Sequence, residues 1–212
     1  MGASRQTRIC FNSKSYGKHP LPPVRRPPYR RPMTHDAILD FWFAEHGPDD
    51  WFSGSAAFDA EVTTRFSETL ACAAACELSA WRDTPDGRLA EIIVLDQFSR
   101  QIHRGSPQAF ATDPLSLALA QEAVRAGDDL KISADRRMFL YMPFMHSESL
   151  VVHADAMRLF SSLGSDGALK AEQGHVETLT RFGRYPKRNA VLGRASTPEE
   201  DDYITESGNR MF

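Results

Sequence analysis

Two runs of this chain concentrate the side chains that grip anions or move protons. Arg181–Glu200 reads RFGRYPKRNAVLGRASTPEE and packs five cations (Arg181, Arg184, Lys187, Arg188, Arg194) with no acid before Arg194. Gly183, Pro186 and Gly193 interrupt it, so it forms turns instead of one straight helix. A guanidinium held on a turn presents a planar fork that matches a carboxylate or phosphate with two parallel hydrogen bonds. The competing reading is structural: the same arginines pair with acids on neighbouring helices and lock the C-terminus down.

The second run is LDQFSRQIHRG, residues 95–105. Projected as a helix over 88–104, Ile92, Val94, Leu95, Phe98 and Ile102 share one side. Asp96, Gln97, Arg100, His103 and Arg104 take the other. An acid, an amide, two guanidiniums and an imidazole resemble a groove lining, whereas a plain solvated face is more often rich in Glu and Lys. Against this stands the solvated face, in which an Asp96–Arg100 pair is worth only a few tenths of a kcal/mol.

His146, His153 and His175 fall on the inward faces of their predicted helices, near Leu150, Met157, Phe160 and Leu179. The seven-residue spacing of His146 and His153 puts them about two turns apart, not around one ion. No H-E-x-x-H motif is present, so core histidines are expected and no metal site. If Pro143 breaks its helix, Ser147 caps the next one and His146 stands just outside a positive helix end, where an anion settles. In an enzyme, His146 with Glu148 or Asp96 would then be the acid/base candidates. The chain has no G-x-S-x-G elbow, no CxxC and no Walker or dinucleotide glycine pattern. Covalent and nucleotide-dependent chemistry therefore have no support, and no cofactor is expected.

The elements that must position these residues read as helices throughout. Thr34 caps a helix to about Ala44 with Ile38, Leu39, Phe41, Trp42 and Phe43 as its bulky face, and Trp51 and Phe52 plug back into the core. Helices follow over about 57–80, with Cys72 and Cys76 as small buried thiols, and over 88–104. Others span 113–126, 133 to Pro143, 147–163 and 166–181, the last capped by Asp166. Thr197-Pro198-Glu199-Glu200 opens a final helix with a capping box. The count is eight or nine helices joined by short loops, with no convincing strand and no 34-residue repeat. The expected fold is all-α: stacked antiparallel helical hairpins without repeat symmetry.

At 212 residues and 42% hydrophobic, the chain suits one sizeable core, and residues 33–212 are expected to form a single all-helical domain. Residues 1–32 hold eight cations, no acid and six prolines from Pro20 to Pro32, and read as a disordered basic arm. The arm superficially suits a transit peptide; the preferred alternative is that Met33 is the natural start. The net charge of −3 leaves the remaining 180 residues with 25 − 8 = 17 cations against 28 acids. An acidic body argues against nonspecific nucleic-acid binding, whose affinity comes largely from neutralising phosphates, and no specific nucleic-acid partner is expected; RNA or anionic lipid is left to the basic arm, as a tail. Three cysteines without metal-ligand spacing fit a reducing, cytoplasmic compartment. No apolar run is long enough for a membrane partner; the densest is Met138–Met145. Nothing in the sequence specifies an oligomeric state.

LDQFSRQIHRG (95–105), FLYMPFMHSE (139–148), RFGRYPKRNAVLGRASTPEE (181–200) and the opening ILDFWF (38–43) together resemble the helical family catalogued as domain of unknown function 924, over nearly all of 34–205. The resemblance implies a TPR-like superhelical fold and no established activity. The positions that match the family pattern are Asp96, Gln97, Arg100, Arg104, His146, Ser147, Glu148, His175, Gly183, Arg184, Arg188 and Asn189. Ser99, His103, His153 and Lys187 depart from it, which weakens any role for His103 or His153.

The leading expectation is a groove that binds an anionic small molecule or an acidic peptide. Arg100, Arg104, Arg184 and Arg188 contact the negative group, while Gln97, His146 and Asn189 set its orientation. The alternatives are a cofactor-independent enzyme built on His146 and a TPR-like protein-interaction scaffold.

Overall fold

The computed structural model describes residues 33–208; the expected basic arm, residues 1–32, lies outside them. Thr34 accepts a hydrogen bond from the Ala37 N–H at 3.3 Å and starts α1 (His35–Asp40), which runs on through a wider π turn at Phe41–Glu45. Ile38, Leu39, Phe41 and Trp42 are buried, and Trp42 stacks on Trp51 of the short α2 (Pro48–Trp51) with ring centres 5.5 Å apart. The Trp51 indole N–H donates to the Trp42 carbonyl at 2.9 Å. Phe52, expected in the core beside Trp51, is 41% exposed instead. It follows the last residue of α2, and neighbouring positions on a helix point about 100° apart.

α3 (Ala56–Ala74) is capped by Ser55 and buries Phe58, Val62, Phe66 and Leu70 along one stripe. It stops short of the boundary expected near Ala80. Cys76 takes a left-handed φ of +59°, unusual for a residue with a side chain, and Ser79–Asp83 forms a 3₁₀ turn. Cys72 is buried, but Cys76 is exposed, correcting the expectation of two interior thiols.

α4 (Pro85–Ile93) begins at Thr84, whose hydroxyl accepts the Gly87 N–H at 3.1 Å. Gly87 is required there: a Cβ would lie 2.0 Å from the Trp81 carbonyl oxygen. The rod continues through a π turn at Val94–Phe98 into α5 (Ser99–Ile102). All five residues of that turn are buried, Asp96 and Gln97 included. A π turn carries one extra residue, so positions beyond it are rotated by about 100° from a straight projection. The polar sector drawn on an ideal helix is therefore redistributed, and its first two members face the interior.

α6 (Asp113–Arg125), α7 (Ala134–Met145), α8 (Leu150–Ser162) and α9 (Asp166–Phe182) follow, each packed against the next. α4 packs against α1, α6 and α7, while α3 covers the π turn and α5. Pro143 does not break α7; it sits in the last turns, where 139–145 are all buried. Packing there outweighs the one backbone bond that proline removes. His146 is consequently the C-terminal cap of α7, and the N-cap of α8 is Ser149, not Ser147. The positive helix end expected beside His146 is thus displaced. Ser165, not Asp166, caps α9 by accepting the Ala168 N–H at 3.3 Å.

Gly183 ends α9 in a left-handed conformation (φ +70°) and launches the arginine-rich turn. After a 3₁₀ turn at Pro186–Arg188, the capping box forms as expected on α10 (Pro198–Ser207): Thr197 Oγ1 accepts the Glu200 N–H, and Glu200 accepts the Thr197 N–H at 2.8 Å. Counting the 85–102 rod as one, the described residues contain nine helices and no strand. None of these helices is long and apolar enough to cross a membrane.

Candidate functional site

A cavity of about 590 Å³ opens between the π turn and the α7–α9 layer. That size lies within the range of small-molecule sites, roughly 300–1,000 Å³. Its walls are apolar. Met138, Met142 and Met145, at i, i+4 and i+7 on α7, form one side with Phe160 of α8. Ala168 and Ala171 of α9 leave room opposite. Its polar end brings together Gln97, Arg100, His146, His175 and Arg188.

A continuous network holds that end. Asp96, fully buried, accepts from Gln97 Nε2 at 2.5 Å and from His146 Nδ1 at 2.7 Å. Arg100 lies 3.0 Å from the same carboxylate and donates to the Asp96 carbonyl at 2.6 Å. Its two terminal nitrogens also bind Asp113 at 2.9 and 3.0 Å. Arg188 reaches Asp113 Oδ2, which already accepts from Arg100, at 3.4 Å and lies over the Phe110 and Tyr185 rings, 4.6 and 4.7 Å from their centres.

The electrostatics follow from this arrangement. Burial pushes the Asp96 carboxyl up, but Arg100 and His146 outweigh it and keep the group ionised. Because a carboxylate only accepts, His146 Nδ1 carries the proton, and in the neutral ring Nε2 keeps its lone pair. Burial and then Arg100 lower the His146 pKa, so the ring is neutral near pH 7. Burial pushes His175 down to about 3, although its Nδ1 donates to the Ala171 carbonyl at 2.8 Å. Arg188 is lowered too, first by burial and then by Arg100, and Asp113 compensates only in part.

Not every expected residue arrives here. Arg104 also lines the cavity but is bound bidentately to Asp59, outside the network. Arg184 does not line it: both its Nε and a terminal nitrogen are bound by Glu200, at 2.6 and 2.7 Å. Asn189 is fully buried against Ser196 and Glu200, away from the cavity. Glu148 is likewise structural, accepting the Tyr185 N–H at 2.7 Å and two nitrogens of Arg194. It makes no hydrogen bond to His146, so the His146–Glu148 pairing gives way to His146–Asp96. The structural reading of the arginine run thus holds for Arg184 and Arg194, while Arg188 belongs to the cavity. His103 is not a lining residue.

His153 is buried on Glu172 (2.5 Å) and the Ser147 carbonyl (2.9 Å), as a satisfied core histidine. Among the described residues, Glu45, His46 and Glu61 bring three potential metal-ligand atoms within 4.8 Å of one another. Arg65 already bridges Glu45 and Glu61, so this group is held together by a guanidinium. The methionine stripe and the α9 alanines were missed from sequence. A Met stripe at helical spacing reads as core, and only its pairing with small residues on α9 opens the space.

The family model described as "Bacterial protein of unknown function (DUF924)" matches residues 38–208. No curated protein matches the chain. A solved structure of a protein of unknown function from Agrobacterium tumefaciens is similar at 40% identity, with a TM-score of 0.78, covering 81% of this chain and 97% of that one.

Proposed function

The chain belongs to the DUF924 family of bacterial proteins of unknown function, and from that premise we propose that its cavity binds a small anionic molecule. The observation that carries the reading is the state of Arg188. It lines the cavity, is mostly buried, and its one close ion pair among the described residues is with a carboxylate already held twice by Arg100. An incoming carboxylate supplies the compensation that Asp113 does not, through two parallel hydrogen bonds. A volume of about 590 Å³ favours a small molecule over an acidic peptide. Arg188 and Arg100 would face the negative group, with Gln97 and His146 orienting it. A cytoplasmic setting accords with three cysteines that lack metal-ligand spacing.

The test is thermal stabilisation by a panel of carboxylates and phosphates, on wild type and Arg188→Gln. A response in wild type that Arg188→Gln loses, while its own melting stays cooperative, supports binding. A response unchanged in Arg188→Gln removes the reading.

One observation favours a second reading, a cofactor-independent enzyme. Asp96 fixes His146 Nδ1–H, which leaves Nε2 as a base on the cavity side, without a hydrogen-bond partner among the described residues. Turnover of a bound acid by wild type, lost in His146→Ala with binding retained, is its test.

A further inference from the structure

The chemistry of the walls narrows the ligand class, and this step rests on the anion-binding reading above. Beyond the polar end, the cavity is bounded by Met138, Met142, Phe160, Ala168 and Ala171. Methionine is unbranched and soft, so a wall of it adapts to a flexible hydrocarbon chain better than to one rigid ring. A second charge along this wall would lose its water and meet no partner. The two other cationic lining residues are already committed: Arg104 to Asp59, and Lys187 Nζ to the Gly208 carbonyl at 2.8 Å. At its far side the wall reaches Trp51, Met138 and Ser165, which also border a second hollow of about 490 Å³ containing Asp135 and Arg136. A hydrocarbon chain stops gaining there.

We propose that the ligand is a straight-chain apolar monocarboxylate, bound with its head on Arg188 beside Arg100 and its tail along the methionine and alanine walls. A lipid-derived acid and a free short-chain acid share this chemistry, and chain length separates them. The geometry thus assigns the polar network to recognition of the head and the α7–α9 gap to measurement of the tail.

The experiment is calorimetric titration of the full chain at pH 7 with hexanoate, octanoate and decanoate, and with octanol and octanedioate as controls. It is run on wild type, Arg188→Gln and Ala171→Leu. Each added methylene should tighten binding by about fourfold until the wall is used up. Octanol and octanedioate should each bind at least about tenfold more weakly than octanoate, a difference of about 1.4 kcal/mol. Ala171→Leu, which fills the tail space from α9, should erase the gain from octanoate to decanoate and leave hexanoate nearly unchanged. This second variant serves if Arg188→Gln fails to fold. A flat chain-length series whose binding still requires Arg188 overturns the tail assignment while sparing the anion reading. Octanol equal to octanoate, with both indifferent to Arg188→Gln, overturns the anion reading itself. No binding by any of the acids at millimolar concentration overturns the monocarboxylate class.

Discussion

Arg188 meets the Asp113 carboxylate only at 3.4 Å, because both terminal nitrogens of Arg100 already occupy it at 2.9 and 3.0 Å. Two guanidiniums sharing one acid give the polar end of the cavity its asymmetry: Arg100 is saturated by Asp96 and Asp113, and Arg188 is not. The two arginines should therefore respond very differently to mutation.

Arg188→Gln removes a buried charge held by one long ion pair, and should change unfolding free energy by less than about 1 kcal/mol. Arg100→Gln leaves the buried Asp96 and the half-buried Asp113 without their common partner, and should cost roughly 3–5 kcal/mol. Urea denaturation of the two variants measures both. Equal losses would mean that Arg188 is as structural as Arg100.

The C-terminal helix should open in acid. Hydrogen bonding by Arg184, then by the Thr197 N–H, pushes Glu200 down to about 2. A depressed carboxylate stabilises the fold above its unfolded pKa, near 4.5, and that contribution is lost as pH falls from there towards 2. Limited proteolysis should find the α10 region cleavable at pH 3 but not at pH 6. In Glu200→Gln, cleavage should be nearly independent of pH. Arg184→Gln should loosen the same segment without affecting carboxylate binding in the cavity.

His175 sets an earlier limb of the pH profile. Burial holds it neutral down to about 3, whereas the unfolded imidazole takes up a proton near 6.5. Its contribution is complete above pH 6.5 and falls by about 1.4 kcal/mol per pH unit below it. Chemical denaturation at pH 5 should give a stability about 2 kcal/mol lower than at pH 7.5. NMR titration of His175 should show no protonation of the folded ring above pH 4; a midpoint near 6 would refute this origin.

Binding should be linked to proton uptake at His146. The groups around its ring are Asp96, Arg100, Asp113, His175 and Arg188. A bound carboxylate adds a negative charge beside Nε2 and raises a pKa that burial and Arg100 had lowered. The binding heat at pH 6 should therefore vary with the ionisation enthalpy of the buffer, by up to about one proton, and His146→Gln should abolish that dependence.

What the sequence disclosed was local. Thr34, Thr197, Pro198 and Glu200 each act within four residues of one another or of a helix start, so spacing alone identifies the caps. The arginines could not be sorted this way. Glu200 serves both as the capping-box acid and as the partner of Arg184, and only the return of α10 against the arginine turn makes the second role visible. Asp96 and Gln97 looked amphipathic on a straight helix, but the π turn draws them inward. The cavity itself depends on Met142 of α7, Phe160 of α8 and Ala171 of α9 lining one space, which no local pattern encodes. Arg188 could be named from sequence; the reason it stands apart from Arg184 could not.

The most direct test is a crystal structure of the protein with decanoate. The account predicts a carboxylate oxygen within hydrogen-bond reach of the Arg188 guanidinium, and the chain lying between Met142 and Ala171. A carboxylate bound elsewhere, or a reversed ligand with its tail against Arg188 and its head in solvent, would contradict it.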